Sequence, residues 1–130
     1  MLFTTKTEYG LKALGILAKN GKNDAISLAE IAKQTDLSLS YLEQLFSKLK
    51  KAKIIKSTKG AEGGYFLARS AGDVSLLEII QSLEGKTAVN SCMAGGKQSC
   101  SGNCLTRKIW VEIQDDIEQT LKKYTLKNLI

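Results

Sequence analysis

The sequence lacks or is poor in several residue types, and each shortage excludes a structural feature or a kind of functional site. Proline and histidine are both absent from the 130 residues, so glycines and capping residues must end the helices, and no imidazole is available as a metal ligand or general base. No apolar run approaches the roughly 18 residues that span a bilayer, and the chain opens without an apolar stretch of secretory type. We therefore expect a cytoplasmic protein with no membrane partner.

Arginine is nearly as scarce, since only Arg69 and Arg107 occur among the 19 basic residues. The net charge of +6 arises wholly in residues 1–69, which carry twelve basic and six acidic side chains, whereas residues 70–130 carry seven of each. A basic half joined to a neutral half is typical of a phosphate-binding module with an attached partner region. A generic basic surface is the alternative that charge alone leaves open.

What the sequence does contain is a regular series of helix-start signals. A serine or threonine followed three residues later by glutamate forms a capping box, and such pairs begin at Thr5, Ser27 and Ser75. The predicted helices cover residues 6–19, 28–34, 38 or 40 to 51, 76 to 83 or 84, and 105–124. Two β-prone runs at 54–59 and 65–68 enclose a glycine-rich loop. We therefore expect a mainly α fold. It comprises a winged helix-turn-helix with a small β-hairpin wing (1–85), a cysteine-containing loop (86–104), and a long C-terminal dimerisation helix with a tail (105–130).

The final predicted helix carries one apolar stripe at steps of four residues. Its members are Leu105, Ile109, Ile113, Ile117 and Leu121, with Tyr124 after them. This apolar face is too long for the core of a small monomer, so a helix of this kind is expected to pair with its twin about a two-fold axis. The stripe therefore predicts a homodimer.

The third predicted helix separates into an apolar and a polar face at 100° per residue. The apolar face consists of Leu42, Leu45, Phe46 and Leu49 and should pack on the first two helices. The opposite face consists of Ser40, Gln44, Ser47, Lys48 and Lys51, with Tyr41 and Glu43 at its flanks. Hydroxyls, amides, phenols and lysines are the groups that contact base edges and phosphates. An isolated helix of this pattern is often simply solvated, but the capped helix before it and the basic hairpin after it favour a DNA-reading helix.

All three cysteines, Cys92, Cys100 and Cys104, fall within thirteen residues of one predicted loop. A secreted disulfide framework normally has an even number of cysteines spread along the chain, so this clustering indicates metal or redox chemistry. Iron and zinc both accept three thiolates, although structural zinc usually requires four cysteine or histidine ligands. From spacing alone, an iron–sulfur cluster, a zinc site and redox thiols all remain open.

The segment from Ser38 to Phe46 and the loop from Gly60 to Tyr65 strongly resemble the Rrf2 family of winged-helix transcription regulators, in particular its iron–sulfur members of the IscR and NsrR type. The likeness covers nearly the whole chain. It implies a homodimer on a double-stranded DNA operator, with the third helix in the major groove and the wing in the adjacent minor groove. It also implies an iron–sulfur cluster, either 2Fe–2S or 4Fe–4S, on the three cysteines.

By position, the resemblance implies base contacts from Ser40, Tyr41, Gln44 and, on the wing, Lys59. The wing departs from the family pattern, because Lys59 replaces a frequent arginine and Ala61-Glu62 interrupts the glycines. A carboxylate close to phosphates argues against deep insertion of this wing.

The ligand that would complete the cluster site is also atypical. IscR-type members carry a histidine after the Leu-Thr pair, but this chain has Arg107 there, and a guanidinium stays protonated and cannot bind a metal. NsrR-type members use a carboxylate at the start of the first helix of the other subunit, and Glu8 stands at the matching position. Glu8 is therefore a candidate fourth ligand, and a capping box with Thr5 is its alternative role.

Together these expectations describe a transcription regulator, not an enzyme, that senses iron–sulfur, redox or nitric-oxide status through a bound cluster. We expect it to act as a repressor, with activation as the open alternative. A clusterless regulator that responds through its thiols or a metabolite is the first alternative. A thiol oxidoreductase or cluster carrier is disfavoured, because the sequence has no Cys-x-x-Cys, no histidine base, and an organised reading helix.

Overall fold

The computed structural model describes residues 3–20, 24–61, 63–90, 93 and 104–130. Within these ranges the chain forms five α-helices and a two-stranded antiparallel sheet, which confirms the mainly α expectation. In chain order they are α1 (Thr5–Asn20), α2 (Leu28–Thr35), α3 (Leu39–Lys51), β1 (Ile55–Thr58), β2 (Gly64–Leu67), α4 (Leu76–Glu84) and α5 (Arg107–Lys123). Short 3-10 turns at Ala71–Asp73 and Leu126–Leu129 follow β2 and α5. None of the helices in the described ranges has both the length and the apolar character of a membrane span.

The helix-turn-helix begins at the serines that the sequence indicates. The Ser27 hydroxyl accepts a hydrogen bond from the Glu30 amide at 3.2 Å, and the Ser38 hydroxyl accepts one from the Tyr41 amide at 3.2 Å. Each serine thereby satisfies an amide that has no partner inside its helix. Between the two helices Asp36 takes the left-handed conformation, with φ 58°, and turns the chain into α3. The predicted starts of α2 and α3 are confirmed.

The β-hairpin packs on α3 and is extended by one residue from the α1–α2 connection. The register pairs Ile55 with Leu67, Lys56 with Phe66, Ser57 with Tyr65 and Thr58 with Gly64. Tyr65 meets Phe46 of α3 edge-on at 4.9 Å between ring centres. Ile26 joins Tyr65 through two backbone hydrogen bonds of 2.9 and 2.7 Å. A Cβ on Gly64 would lie 2.4 Å from the carbonyl carbon of Ile26, so this strand position requires glycine.

One hydrophobic core joins the helices α1 to α4, the hairpin and the C-terminal turn. Its buried members are Ala13, Leu14, Leu17, Ile31, Leu42, Leu45, Phe46, Leu49, Ile54, Ile55, Leu67, Val74, Ile79, Leu83 and Leu126. All four residues of the predicted apolar face of α3 are among them. Leu126 belongs to the turn after α5, and its amide donates to the Val74 carbonyl at 3.1 Å. The C-terminal turn therefore completes the core of the unit that precedes the cysteine loop.

The helix α5 begins at Arg107, two residues later than the stripe predicts, and Leu105 lies fully exposed in the preceding turn. Leu121, together with half-buried Ile117, packs on α4. In contrast, Ile109 is 55% exposed in the single chain. The stripe is thus divided, because its C-terminal half is buried in the chain's own core and its N-terminal half remains open. Gln114, which the apolar pattern does not mark, is the buried residue between them.

The start of α1 differs from the capping box expected of Thr5 and Glu8. The helix begins at Thr5, and the hydroxyl of Thr4 accepts from the Lys6 amide at 3.2 Å. The carboxylate of Glu84, at the end of α4, accepts from the Thr4 amide at 3.0 Å and from the Thr7 hydroxyl at 2.6 Å. The predicted capping box is therefore wrong, since a carboxylate distant in sequence satisfies the helix start. Glu8 remains exposed, and its side chain makes no hydrogen bond with another described residue.

The contact between Glu84 and α1 predicts a pH-dependent stability. Partial burial acts to raise the pKa of Glu84, but hydrogen bonds from Thr4 and Thr7, together with nearby Lys6, outweigh it and hold the pKa below its usual value. A lowered carboxyl pKa stabilises the fold fully above the unfolded value of about 4.3. That contribution is lost as the pH falls through the lowered folded value.

We therefore expect Glu84→Gln to lower the free energy of unfolding by about 1–3 kcal/mol near neutral pH, because a charged acceptor is removed. The difference should shrink as the wild-type carboxyl is protonated. Urea unfolding near neutral pH and at about pH 3 measures both quantities. Glu112→Gln, on the exposed side of α5, is the matched control. Equal unfolding free energies for the Glu84 variant and the wild type near neutral pH would contradict this account.

Candidate nucleic-acid interface and cysteine site

The outer face of α3 is a row of polar side chains with unused hydrogen-bonding groups. Ser40, Gln44, Ser47 and Lys51 are all exposed on the side opposite the buried leucines. None of the four side chains makes a hydrogen bond or ion pair with another described residue. The core side of the helix is held rigidly, so these groups are presented at fixed spacing to an external partner. We call these four residues the reading face.

Two other predicted contact residues, Tyr41 and Lys48, lie on the flank of α3 that meets α1 and α4. The half-buried Tyr41 ring packs edge-on against Tyr9 at 6.0 Å between centres, and its hydroxyl lies 3.4 Å from the Thr5 hydroxyl. The Lys48 ammonium donates to the Leu83 carbonyl at 3.2 Å, near the negative end of the α4 dipole. In this chain both side chains hold α3 against its neighbours.

The wing presents Lys59 beside a tight turn. Lys59 is exposed, and Gly60 follows it with φ 112°, a conformation that favours glycine. The Gly63 amide donates to the Gly60 carbonyl at 2.9 Å and closes the turn. Glu62, the carboxylate that argues against deep insertion, lies outside the described residues.

The opposite flank of α3 carries a contact that sequence reasoning missed. The Lys50 ammonium donates to the Ser57 hydroxyl of β1 at 2.7 Å and joins the reading helix to the base of the wing. Lys50 has the same exposed position and charge as its neighbours, so only the register of the hairpin reveals its partner.

Of the three cysteines, only Cys104 is among the described residues, and Cys92 and Cys100 lie outside them. Cys104 is exposed just before α5, and its sulfur is 3.2 Å from the Thr106 hydroxyl. Nη1 of Arg107, three residues later, is buried without a hydrogen-bond partner in the described part of the chain. A guanidinium donor beside a set of thiolates complements their negative charge and hydrogen-bonds to sulfur. The three thiols of the sequence, together with an Nη1 donor that has no partner among the described residues, fit an anionic thiolate centre.

The described stem of the cysteine loop is held to α5 by Gln114. Its side-chain oxygen accepts from the Val89 amide at 2.9 Å, and its nitrogen donates to the Thr87 carbonyl at 2.6 Å and to Glu118 at 3.0 Å. A buried amide must find such partners, because an unpaired one costs about 1–3 kcal/mol. Sequence reasoning missed this residue, which lies outside the apolar stripe and carries no local signal of burial.

A capped helix pair, a polar reading face and a two-stranded wing on one core define a winged helix-turn-helix DNA-binding protein, which acts as a transcription regulator. The model of the Rrf2 family, described as an iron-dependent transcriptional regulator, matches residues 3–130. The chain belongs to the Rrf2 family.

Individual relatives support the same assignment. The transcriptional regulator IscR of Cronobacter sakazakii is 35% identical over 132 residues, which cover 100% of this chain and 80% of that protein. Among solved structures, CymR of B. subtilis, titled a global cysteine regulator, has a TM-score of 0.83 at 33% identity and covers 99% of this chain and 95% of its own. IscR of T. potens has a TM-score of 0.78 at 34% identity, with 99% and 85% covered. These relatives are named as regulators rather than as enzymes.

The reading face predicts that two substitutions affect DNA binding in different ways. Gln44→Ala should reduce discrimination between an operator and a scrambled duplex, because glutamine suits adenine edges and each such pair is worth about 1–3 kcal/mol. Lys51→Ala should weaken both duplexes equally and reduce the salt slope by about one unit for each lysine removed. Fluorescence anisotropy on a duplex selected from genomic DNA by the wild type measures both effects. Gln119→Ala, an exposed glutamine of α5, is the control. Wild-type behaviour of both variants would show that α3 is not the reading helix.

Proposed function

We propose that this protein is a homodimeric repressor that reads an operator with α3 and the wing, and that an iron–sulfur cluster on Cys92, Cys100 and Cys104 controls its binding. The reading face, with four exposed polar side chains that have no partner among the described residues, is the observation that carries the DNA-reading role. In this arrangement α3 enters the major groove, and Lys59 approaches the adjacent minor groove. Repression follows where the operator overlaps a promoter.

The open half of the α5 stripe supports the dimer. Leu105 and Ile109 are exposed apolar side chains in the single chain, and a contiguous apolar face of this kind marks an interaction surface. Pairing of two α5 helices about a two-fold axis would cover it. Two reading helices related in this way suit half-sites about 34 Å apart, one turn of DNA.

The cluster proposal is supported by the three thiols of the sequence, by the position of Cys104 just before α5, and by the buried Nη1 atom of Arg107. When bound, such a cluster supplies a centre whose charge and integrity depend on oxidants, nitric oxide and iron supply. The chain's own contribution is to hold the loop stem, through Gln114, on the helix that Cys104 precedes.

The described contacts connect this stem to the reading helix. Thr87 of the stem is bonded to Gln114, and three residues earlier Glu84 binds the start of α1. The neighbouring Leu83 carbonyl accepts from Lys48 of α3. In the proposed switch, a displacement of the stem would reach α1 and α3 through these contacts.

Purification without oxygen, followed by a visible spectrum with iron, sulfide and zinc counts, tests the cluster. We expect a coloured protein with iron and sulfide in equal amounts, and we expect Cys104→Ser to lose most of both. Thr106→Ser keeps the neighbouring hydroxyl and should retain the cluster. A colourless protein with one zinc per chain would contradict the cluster and show that the cysteines bind zinc.

A clusterless regulator remains the second candidate, and the similarity to the global cysteine regulator CymR of B. subtilis favours it. In that case the metal-free protein should bind its operator, and oxidation of the thiols or a small metabolite should alter the affinity. The same purified protein distinguishes the two candidates.

The fourth-ligand hypothesis gives a separate prediction. Because Glu84 satisfies the start of α1, the exposed Glu8 carboxylate is not needed as a cap and is available to a cluster in the other subunit. Glu8→Ala should change the spectrum or shorten the lifetime of the cluster, whereas Glu8→Cys should prolong it, since iron–sulfur centres prefer thiolate to carboxylate. Glu112→Ala serves as the control. An Ala variant with unchanged spectrum, lifetime and DNA response would exclude Glu8 as a ligand.

A further inference from the structure

A groove lies between the C-terminal end of α3 and the outer face of the hairpin, and its rim is rich in lysine. Lys50 comes from α3, Lys53 from the turn after it, and Lys56 and Lys59 from β1 and the residue beyond it. The floor is mostly apolar and includes half-buried Phe66. We call this the lysine groove. The reading face does not include Lys50, Lys53 or Lys56.

The positive charge of the lysine groove is not neutralised by the described residues. Glu78 is the one carboxylate among its described lining residues, and it is paired with Arg69. The rim lysines form no ion pair in the described part of the chain. The bond from Lys50 to Ser57 at 2.7 Å fixes one ammonium at the base of the wing without neutralising it. The groove therefore suits an extended anionic partner.

The position of the groove identifies that partner. The major groove and the adjacent minor groove of a duplex are separated by one sugar–phosphate strand. If α3 occupies the first and the wing the second, this strand has to cross the surface between them. The lysine groove extends from Lys50, the neighbour of Lys51 in α3, to Lys59 of the wing, so it joins the two elements that this arrangement places in the two DNA grooves.

The backbone at Lys53 provides an independent observation. Lys53 adopts φ 61°, a left-handed conformation that is costly for a residue with a Cβ and favourable for glycine. Its carbonyl accepts from Nε of Arg69 at 3.3 Å, a bond that any residue could make. The lysine side chain therefore does not serve the turn itself. The same conformation ends α3, since the Ile54 amide donates to the Leu49 carbonyl at 3.1 Å. Glycine is the usual residue at such a cap, so a lysine here points to a role of the side chain outside it.

We propose that the lysine groove binds the DNA phosphodiester strand that separates the two grooves, with Lys50, Lys53 and Lys56 each contacting phosphate. This inference rests on the proposed placement of α3 and the wing. The contacts are independent of base sequence and add to affinity rather than to discrimination. The apolar floor faces the deoxyribose carbons between the phosphates.

Salt dependence of DNA binding tests the proposal. Lys50→Ala, Lys53→Gly and Lys56→Ala should each reduce the slope of log association constant against log salt by about 0.9 for every lysine removed, equally on operator and scrambled duplexes. Lys53→Gly should do so without loss of thermal stability, because glycine relieves the backbone strain. Lys122→Ala, an exposed lysine of α5, makes the same charge change away from the groove and should leave the slope unchanged.

Neutral methylphosphonates, placed in the operator strand between the two grooves, locate the contact. They should weaken the wild type, and they should weaken Lys50→Ala much less, because its phosphate contact is already lost. Unchanged salt slopes for all three variants would overturn the proposal. An acidic protein segment would then be the alternative ligand of the lysine groove. An equal reduction of the salt slope in Lys122→Ala would also overturn the proposal, because the slope would then depend on net charge and not on contacts in the lysine groove. A wild type that binds DNA normally while the variants show no change refutes only this inference, whereas a wild type that binds no duplex refutes the proposed function as well.

Discussion

Burial of one face of α3 is the constraint on which the rest of the structure depends. Leu42, Phe46 and Leu49 are completely buried, and each such side chain contributes about 1.5–3 kcal/mol when it leaves water. Because the helix is fixed on this side, its opposite side needs no internal partner. The hairpin packs on the same residues through the contact between Phe46 and Tyr65, so the wing and the reading helix share one support.

Two polar contacts then fix the orientation of α3 from opposite flanks. Lys48 is bonded to the end of α4, and Lys50 is bonded to the base of the wing. These are long, flexible side chains, and each bond alone is worth little on the surface. The two bonds orient α3 more than they stabilise it, because together they oppose rotation of the helix about its own axis.

The features that the sequence predicts well are local, and those it misses are distant. The serine hydroxyls of Ser27, Ser38 and Ser75 each accept from an amide three residues later, so both partners of the interaction lie within one short stretch of sequence. The bonds from Glu84 to Thr4 and from Gln114 to Thr87 join residues 80 and 27 positions apart. Both depend on where α4 and the loop stem fall after folding, which helical periodicity does not contain. The division of the α5 stripe has the same origin, because only its C-terminal half meets α4.

Because arginine is scarce, the proposed DNA complex would draw its affinity and its specificity from different side chains. A lysine contacts phosphate as a point charge, and it lacks the planar fork with which arginine reads guanine in a bidentate way. In the proposed complex, affinity would come from many lysines around α3 and the wing, while discrimination would depend on a few neutral groups such as Gln44. Those few contacts would require both reading faces of the proposed dimer to be correctly spaced, whereas the lysine contacts would tolerate small shifts. A change at the cysteine loop that moves α3 slightly would thus release the operator selectively and leave weak, non-specific DNA binding intact.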